Sequence, residues 1–281
     1  MLQGLAIWHY PHRSMVDNIY YFAALGLDSV SVHGAQFVNA ISDPAVWDAI
    51  ALAVRETGVV FTVHYCLPRK HDPEAVAVFE AGIHAIADWQ RAHGSIAVLS
   101  FDVPQPIRGG VGIGSYLDFV LDTVPACRVA VEDFGLNAAE REQISHLKGN
   151  DRFGYLVDIG HLFLRVRGQN PSGKVLFTNA PDEHPACESP DHAVFKAAFE
   201  SKDHPIFEMH LHNNDGIEDV HWFLKQGEMN IPAVARALRD IGFNGVLTVE
   251  SAPGFRFECR GKDADEGIGR TLTYWKKCCE I

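Results

Sequence analysis

The 281-residue chain carries a formal net charge of −12 and is 47% hydrophobic, enough to bury a full core as one large α/β domain or two small ones. Nucleic acid is a polyanion that its binding proteins neutralise with Lys and Arg, and this acidic chain without a basic run argues against such a partner. The longest apolar stretches have strand length, too short to span a bilayer. The N-terminal MLQGLAIWHYPHR lacks the basic start and long apolar region of a signal peptide. Cys66, Cys127, Cys187, Cys259, Cys278 and Cys279 show no CxxC or zinc-ribbon spacing, so free thiols in a reducing cytoplasm are expected.

In chain order, a strand at GLAIWH (4–9) is followed by a helical pattern in SMVDNIYYFAALG. Strands DSVSVH (28–33) and VVFTVH (59–64) flank the helix DPAVWDAIALAVRETG, and DPEAVAVFEAGIHAIADWQRAHG leads to IAVLSFD (96–102). RVAVE (128–132), GYLVD (154–158), IFEMHLH (206–212), the helix IPAVARALRDIG and GVLTVE (245–250) complete the series. Several helices open on Ser, Asp or Asn, or on an early Pro, and close on Gly. Near-continuous apolar strands alternating with helices imply a parallel sheet covered on its outer face. Eight such units predict a single (β/α)8 TIM barrel, α/β in class, occupying 1–281 as one domain. GGVGIG (109–114) lacks the spacing of a dinucleotide fingerprint and reads as a flexible loop. The stretch 165–192 exceeds an ordinary connection and is expected to form an insertion over the C-terminal face.

The predicted strands end in His9, His33, His64, Asp102, Glu132, Asp158, His210 and Glu250. C-terminal strand ends ring the active site in this fold, and converging carboxylates and imidazoles repel one another unless cations are bound among them. Polar groups also crowd HLHNNDGIEDVH (210–221). An EF-hand is excluded there, because Trp222 occupies the position of its bidentate Glu. Asn213, Asn214 and Asp215 are expected to order this loop through side-chain-to-backbone bonds. Strand alternation puts His210 and His212 on one face. His184, His192 and Cys187 could make a zinc clip, although unsupported loop residues are the simpler reading, and Cys278 and Cys279 read as surface or packing residues.

The segments TVHYCLP, AVEDFG, VDIGH, EMHLHNND, DVH and LTVES together resemble the xylose isomerase-like TIM-barrel superfamily, and within it the endonuclease IV-like branch (AP endonuclease family 2). The resemblance spans essentially the whole chain and is strongest from Val129 to Ser251. It implies a central metal held by Glu132, Asp158, His210 and Glu250, and a second held by His161, Asp219 and His221. A third would take His64 and Glu132, with Asp102 substituting where SFDVP replaces the branch's His-Pro-Gly. Lys225 stands where the branch has the first glycine of a G-x-G turn. One to three divalent ions follow, zinc or manganese before magnesium or cobalt, since imidazole and carboxylate are mixed. His9, His33, His212 and Lys225 are candidate substrate contacts, with His212 a neighbour rather than a ligand.

Two chemistries fit. Hydrolysis of a phosphoester is the first expectation, because clustered cations activate water and stabilise the attacking and leaving oxygens, and His161, Asp219 and His221 supply a second ion. Sugar isomerisation or epimerisation through an enediolate is the alternative, with Glu132 and Glu250 as acid and base. Many isomerases of the superfamily place Arg where this chain has His221. A metal-dependent binding module is the third option, disfavoured by the complete central ligand set. The expected partner is a small-molecule substrate, sugar-containing or phosphorylated, with no activity on damaged duplex DNA. The oligomeric state is open, a homodimer being one option.

Overall fold

The computed structural model describes residues 1–7, 13–68, 72–103, 112–134, 136–169, 190–251 and 262–280. Eight parallel strands close into a barrel in sequence order: β1 (Leu2–Ala6), β2 (Ser29–His33), β3 (Val60–Cys66), β4 (Ile96–Asp102), β5 (Arg128–Glu132), β6 (Phe153–Asp158), β7 (Ile206–Leu211) and β8 (Val246–Val249). Pairing of β1 with β8 closes the sheet. The described helices are α1 (Met15–Ala24), α2 (Gly34–Ile41), α3 (Pro44–Thr57), α4 (Pro73–His93), α5 (Ile113–Thr123), α6 (Ala138–Ile144), α7 (Ile159–Gln169), α8 (Pro190–Glu200), α9 (Ile231–Asp240) and α10 (Lys262–Glu280). The expected (β/α)8 architecture is therefore the fold.

Local chemistry sets the boundaries. α3 opens on Asp43, whose carboxylate accepts from Ala45 N at 2.9 Å, and closes on Gly58 at φ 70°. α4 repeats the device between Asp72 and Gly94; each glycine takes the left-handed conformation that side chains resist. Asn137 and Glu140 form a capping box at α6. Phe22, Phe37, Phe61, Trp89 and Phe101 are fully buried and belong to the large apolar core.

Register fixes which residues face the bore. Ser31 pairs with Thr62, His33 with His64, His64 with Ser100, Asp158 with His210, and His210 with Thr248. Successive strand residues alternate faces, so these side chains share the interior. Val98, Ala130, Leu156, Phe207 and Val246 form a small apolar cluster toward the N-terminal end of the strands. Small hydroxyl residues and Glu208 also line the bore, and the ring of candidate ligands stands at the C-terminal end.

Several expectations need correction. β1 ends at Ala6, and His9 lies outside the described residues. β3 continues past His64 to Cys66, while β7 stops at Leu211 and β8 at Val249, leaving His212 and Glu250 just beyond their ladders. Helix α2 starts directly from His33, with no connecting loop. The loop predicted at 109–114 begins α5 at Ile113, whose side chain is buried. The supposed excursion is helical at both ends, since α7 reaches Gln169 and α8 starts at Pro190; its remainder, 170–189, with His184 and Cys187, lies outside the described residues. His192 instead faces Asp240, Nε2 to Oδ2 at 2.8 Å. Cys278 is buried. Among the described residues, no single helix is long and apolar enough to cross a membrane.

Candidate metal centre

Five imidazoles and five carboxylates line one pocket of about 210 Å³ at the C-terminal mouth: His33, His64, His161, His210 and His221, with Asp102, Glu132, Asp158, Asp219 and Glu250. Three strand ends build its deepest part. Asp158 closes β6, His210 is the penultimate residue of β7, and Glu250 follows β8; their candidate donor atoms lie within 4.8 Å of one another. All three are buried. His210 Nδ1 is 3.2 Å from Glu250 Oε2. Its other nitrogen, Nε2, lies 3.3 Å from Glu208 Oε1.

Glu132, at the end of β5, links this group to two others. It clusters with His64 and Asp102, and separately with Asp158 and His161. His64 Nε2 is 3.1 Å from Asp102 Oδ1, and its Nδ1 meets Ser100 Oγ at 3.0 Å. Asp102 and His64 thus adjoin each other, at the end of β4 and near that of β3.

The outer group contains His161, His212, Asp219 and His221. His161 sits in the first turn of α7, where its backbone N–H donates to Asp158 Oδ1 at 2.7 Å. Its ring bridges Glu132 Oε1 at 2.8 Å and Asp219 Oδ2 at 3.0 Å. His221 Nε2 is 3.2 Å from Asp219 Oδ1, and its Nδ1 donates to the Glu250 carbonyl at 3.0 Å. That bond leaves Nε2 to carry the lone pair of the neutral ring. His221 has φ 47°, a left-handed conformation uncommon outside glycine.

The loop presenting Asp219 and His221 is ordered as the sequence predicts. Asn213 and Trp222 exchange backbone hydrogen bonds of 3.1 and 2.7 Å at its neck. The Asn213 side chain donates to Leu224 O at 2.7 Å and accepts from Met229 N at 3.0 Å. Asp215 Oδ1 accepts from the backbone of Ile217 and Glu218, both at 2.9 Å.

Burial opposes charge throughout this ring, and pairing decides which groups keep it. Burial first, then the adjacent Asp102 carboxyl, pushes Glu132 up to about 8. Burial also works against Asp102, yet His64 and a bond with Glu132 hold it far below the ordinary carboxylate range. His161 loses stabilising water on burial, but Asp158, Asp219 and Glu132 raise it to about 12. His221 rises to about 9 against the same burial penalty, through Asp219 and Glu250. Glu250, similarly opposed by burial, is held at about 2 by His210 and His221. Without a cation the buried carboxylates depend on these imidazolium protons. A divalent ion would replace those protons, and a mixed oxygen and nitrogen donor set suits zinc, manganese or cobalt. The residues present fit such an ion.

Not every candidate belongs here. His33 lines the pocket, but Lys225 does not: it is exposed, with Nζ 5.1 Å from the Tyr274 ring. His212 is fully buried and does not line the pocket, so it is no substrate contact as the structure stands. Its Nε2 is 3.2 Å from Asp158 Oδ1, and its ring stacks on His221 with centroids 3.7 Å apart. One neighbour escaped the sequence reading: Glu208, beneath His210. The alternation Glu208, His210, His212 was the available signal.

Fold and site together define a (β/α)8 barrel with a ligand ring at its C-terminal mouth. Residues 19–278 match the family model of the xylose isomerase-like TIM barrel, and the chain belongs to that family. No curated protein sequence matches it. Among solved structures, it is similar to D-psicose 3-epimerase with D-tagatose from Clostridium cellulolyticum H10, at TM-score 0.66 and 12% identity over 100% of both chains. The IOLI protein with a binding zinc atom superposes at TM-score 0.63 and 14% identity, over 99% of this chain and 96% of that one. The probable 3-DHS dehydratase AsbF from Bacillus anthracis gives TM-score 0.65 and 12% identity, over 98% and 99%. Identities this low establish a shared fold.

Proposed function

We propose that the chain is a divalent-metal-dependent sugar isomerase or epimerase acting on a small ketose. The observation that carries this reading is the pair Glu132 and Glu250. They stand at the ends of strands three apart in the barrel, both buried, both lining the pocket beside Asp158 and His210. Two carboxylates so placed can act on opposite faces of one carbon. One takes the proton from the carbon beside the ketose carbonyl, giving an enediolate, and the other returns a proton. Asp158 and His210 would complete the central ligand set with these two glutamates. A bound divalent ion would supply polarisation of the carbonyl and adjacent hydroxyl oxygens. His33, at the rim, is placed to touch substrate.

The expected precedence of hydrolysis is reversed, because sugar epimerases stand among the structural neighbours. Phosphoester hydrolysis stays as a second reading on one observation, the outer group of His161, His212, Asp219 and His221, whose donors suit a second ion. We read 1–281 as one catalytic domain, which the family match over 19–278 supports.

The test is incubation of the Mn²⁺-loaded chain with D-fructose, D-tagatose and D-psicose in D₂O, beside bis(p-nitrophenyl) phosphate. Deuterium incorporation at the carbon next to the carbonyl, with appearance of a second ketose or aldose, is the expected result. Turnover of the phosphodiester and of no sugar would replace this reading by the second. An abasic-site duplex is expected to stay uncut at physiological salt.

A further inference from the structure

We propose that Glu208 is a positioning residue that receives the Nε2 proton of His210, so that Nδ1 is the nitrogen presented to the central metal. The assignment rests on the central site proposed above. Glu208 has no exposed surface and belongs to the strand that carries His210, two residues earlier and on the same inward face. Its Oε1 is 3.3 Å from His210 Nε2 and accepts from Thr248 Oγ1 at 3.1 Å. The opposite ring nitrogen, Nδ1, points to Glu250 Oε2 at 3.2 Å. One nitrogen is therefore turned down the bore and the other toward the pocket.

Packing does not explain a carboxylate at this depth. The bore here is lined by small residues, including Ser31, Thr62, Ser100 and Thr248, all fully buried. A buried charge is costly unless paired, and an apolar isostere would satisfy a purely structural need. Thr248 reaches Glu208 from β8, so the carboxylate is itself held in place. A metal-binding histidine commonly donates its second N–H to a carboxylate, which fixes the tautomer and raises the basicity of the ligating nitrogen.

The experiment uses the full chain stripped of metal, as wild type, Glu208→Gln and Glu208→Leu. Co²⁺ affinity is read by calorimetry, the fold by circular dichroism, and the ring nitrogens by ¹⁵N spectra of the Zn²⁺-loaded protein. Glu208→Leu is expected to weaken Co²⁺ binding roughly 10- to 100-fold. Glu208→Gln is expected to lose less, because its amide oxygen still accepts the Nε2 proton. The wild-type ¹⁵N spectrum should show His210 Nε2 protonated. Equal Co²⁺ affinity in wild type and a folded Glu208→Leu, or coordination through Nε2, overturns the assignment while the central site stands. Wild type that binds no Co²⁺ overturns both. If Glu208→Leu fails to fold, the Gln variant and the wild-type ¹⁵N spectrum decide.

Discussion

The inner donors, Asp158, His210 and Glu250, and the outer donors, His161, His212, Asp219 and His221, adjoin one another but are built differently. The inner three stand at ends of adjacent strands, and the ladder fixes their spacing: Asp158 is in register with His210, and His210 with Thr248, two residues before Glu250. Of the outer four, His212 directly follows β7, His161 sits in the first turn of α7, and Asp219 and His221 come from a loop. Asp219 has 43% of its side chain exposed, and His221 holds a positive φ. A site on rigid elements is positioned more precisely than one on a loop. On the proposed function, the inner group is expected to carry the reaction and the outer one to be dispensable or tuning.

The largest effects should fall on the inner side. Glu132→Gln is expected to lower kcat for ketose turnover by ~10²–10⁴-fold, the range lost with a general acid or base, while Asp158, His210 and Glu250 still retain metal. Steady-state kinetics with metal analysis of the same samples checks both halves. A variant that turns over normally would remove Glu132 from the chemistry. His210→Ala should cost more metal affinity than the roughly 10- to 100-fold typical of a ligand's supporting partner. His161→Ala should cost the first-bound ion far less. Calorimetric titration of the two with Co²⁺ sharpens the comparison directly, and the opposite ranking would break it. His221→Arg is expected to abolish any second, weaker binding step and any phosphodiesterase activity while sugar turnover persists, read by calorimetry and steady-state kinetics on the same samples.

The inner group was legible because strand-end polarity is a one-dimensional signal. Asp102, Glu132 and Asp158 close their strands where the apolar run ends, and the short signatures around them resemble one family. The outer group was legible only through that resemblance, since nothing in local periodicity brings His161 within 3.0 Å of Asp219, 58 positions away. His212 stands as the neighbour it was expected to be but not as a substrate contact, because alternation gives a face and not a depth. The wedge between Gly160 and His221 that buries it depends on a helix starting immediately after Asp158. Lys225 was misplaced for a similar reason: its loop packs on α10, where Phe223 meets Gly267, and no sequence spacing reports that contact. Helix α2 escaped because GAQFVNAI is only eight residues long and starts on Gly34 directly from the strand end.

Protons distinguish the groups next. Glu132 is raised from 4.5 to about 8, and His161 from 6.5 to about 12. Both shifts are upward, so the folded metal-free chain holds more protons than the unfolded one and loses stability as pH rises. Glu132 contributes to that loss between about 4.5 and 8, and His161 between about 6.5 and 12. Glu250, lowered from 4.5 to about 2, acts in the other sense and removes stability only as pH falls through that interval. Metal must displace the Glu132 proton, so affinity should increase from pH 6 to pH 8, with proton release visible as buffer-dependent calorimetric heat. Affinity independent of pH would mean that Glu132 is not a ligand.

The smallest expected effect tests how the two groups are joined. Gly160 lies between Asp158 and His161, and a Cβ built on it would fall 2.1–2.6 Å from three atoms of the His212 ring. The ring cannot retreat freely, because its other face stacks on His221 at 3.7 Å and its Nε2 lies 3.2 Å from Asp158 Oδ1. Gly160→Ala should therefore cost about 1–3 kcal/mol of stability, the usual cost of overfilling a packed site, measured by denaturant unfolding of the metal-free chain. His221 and Asp219 would be displaced first, since they belong to a loop, while Asp158 is retained by its ladder with His210. Outer-site affinity should accordingly fall more than inner-site affinity in the same titration. If both fall equally, the two groups act as one mechanical unit, and the division between strand-built and loop-built donors is wrong.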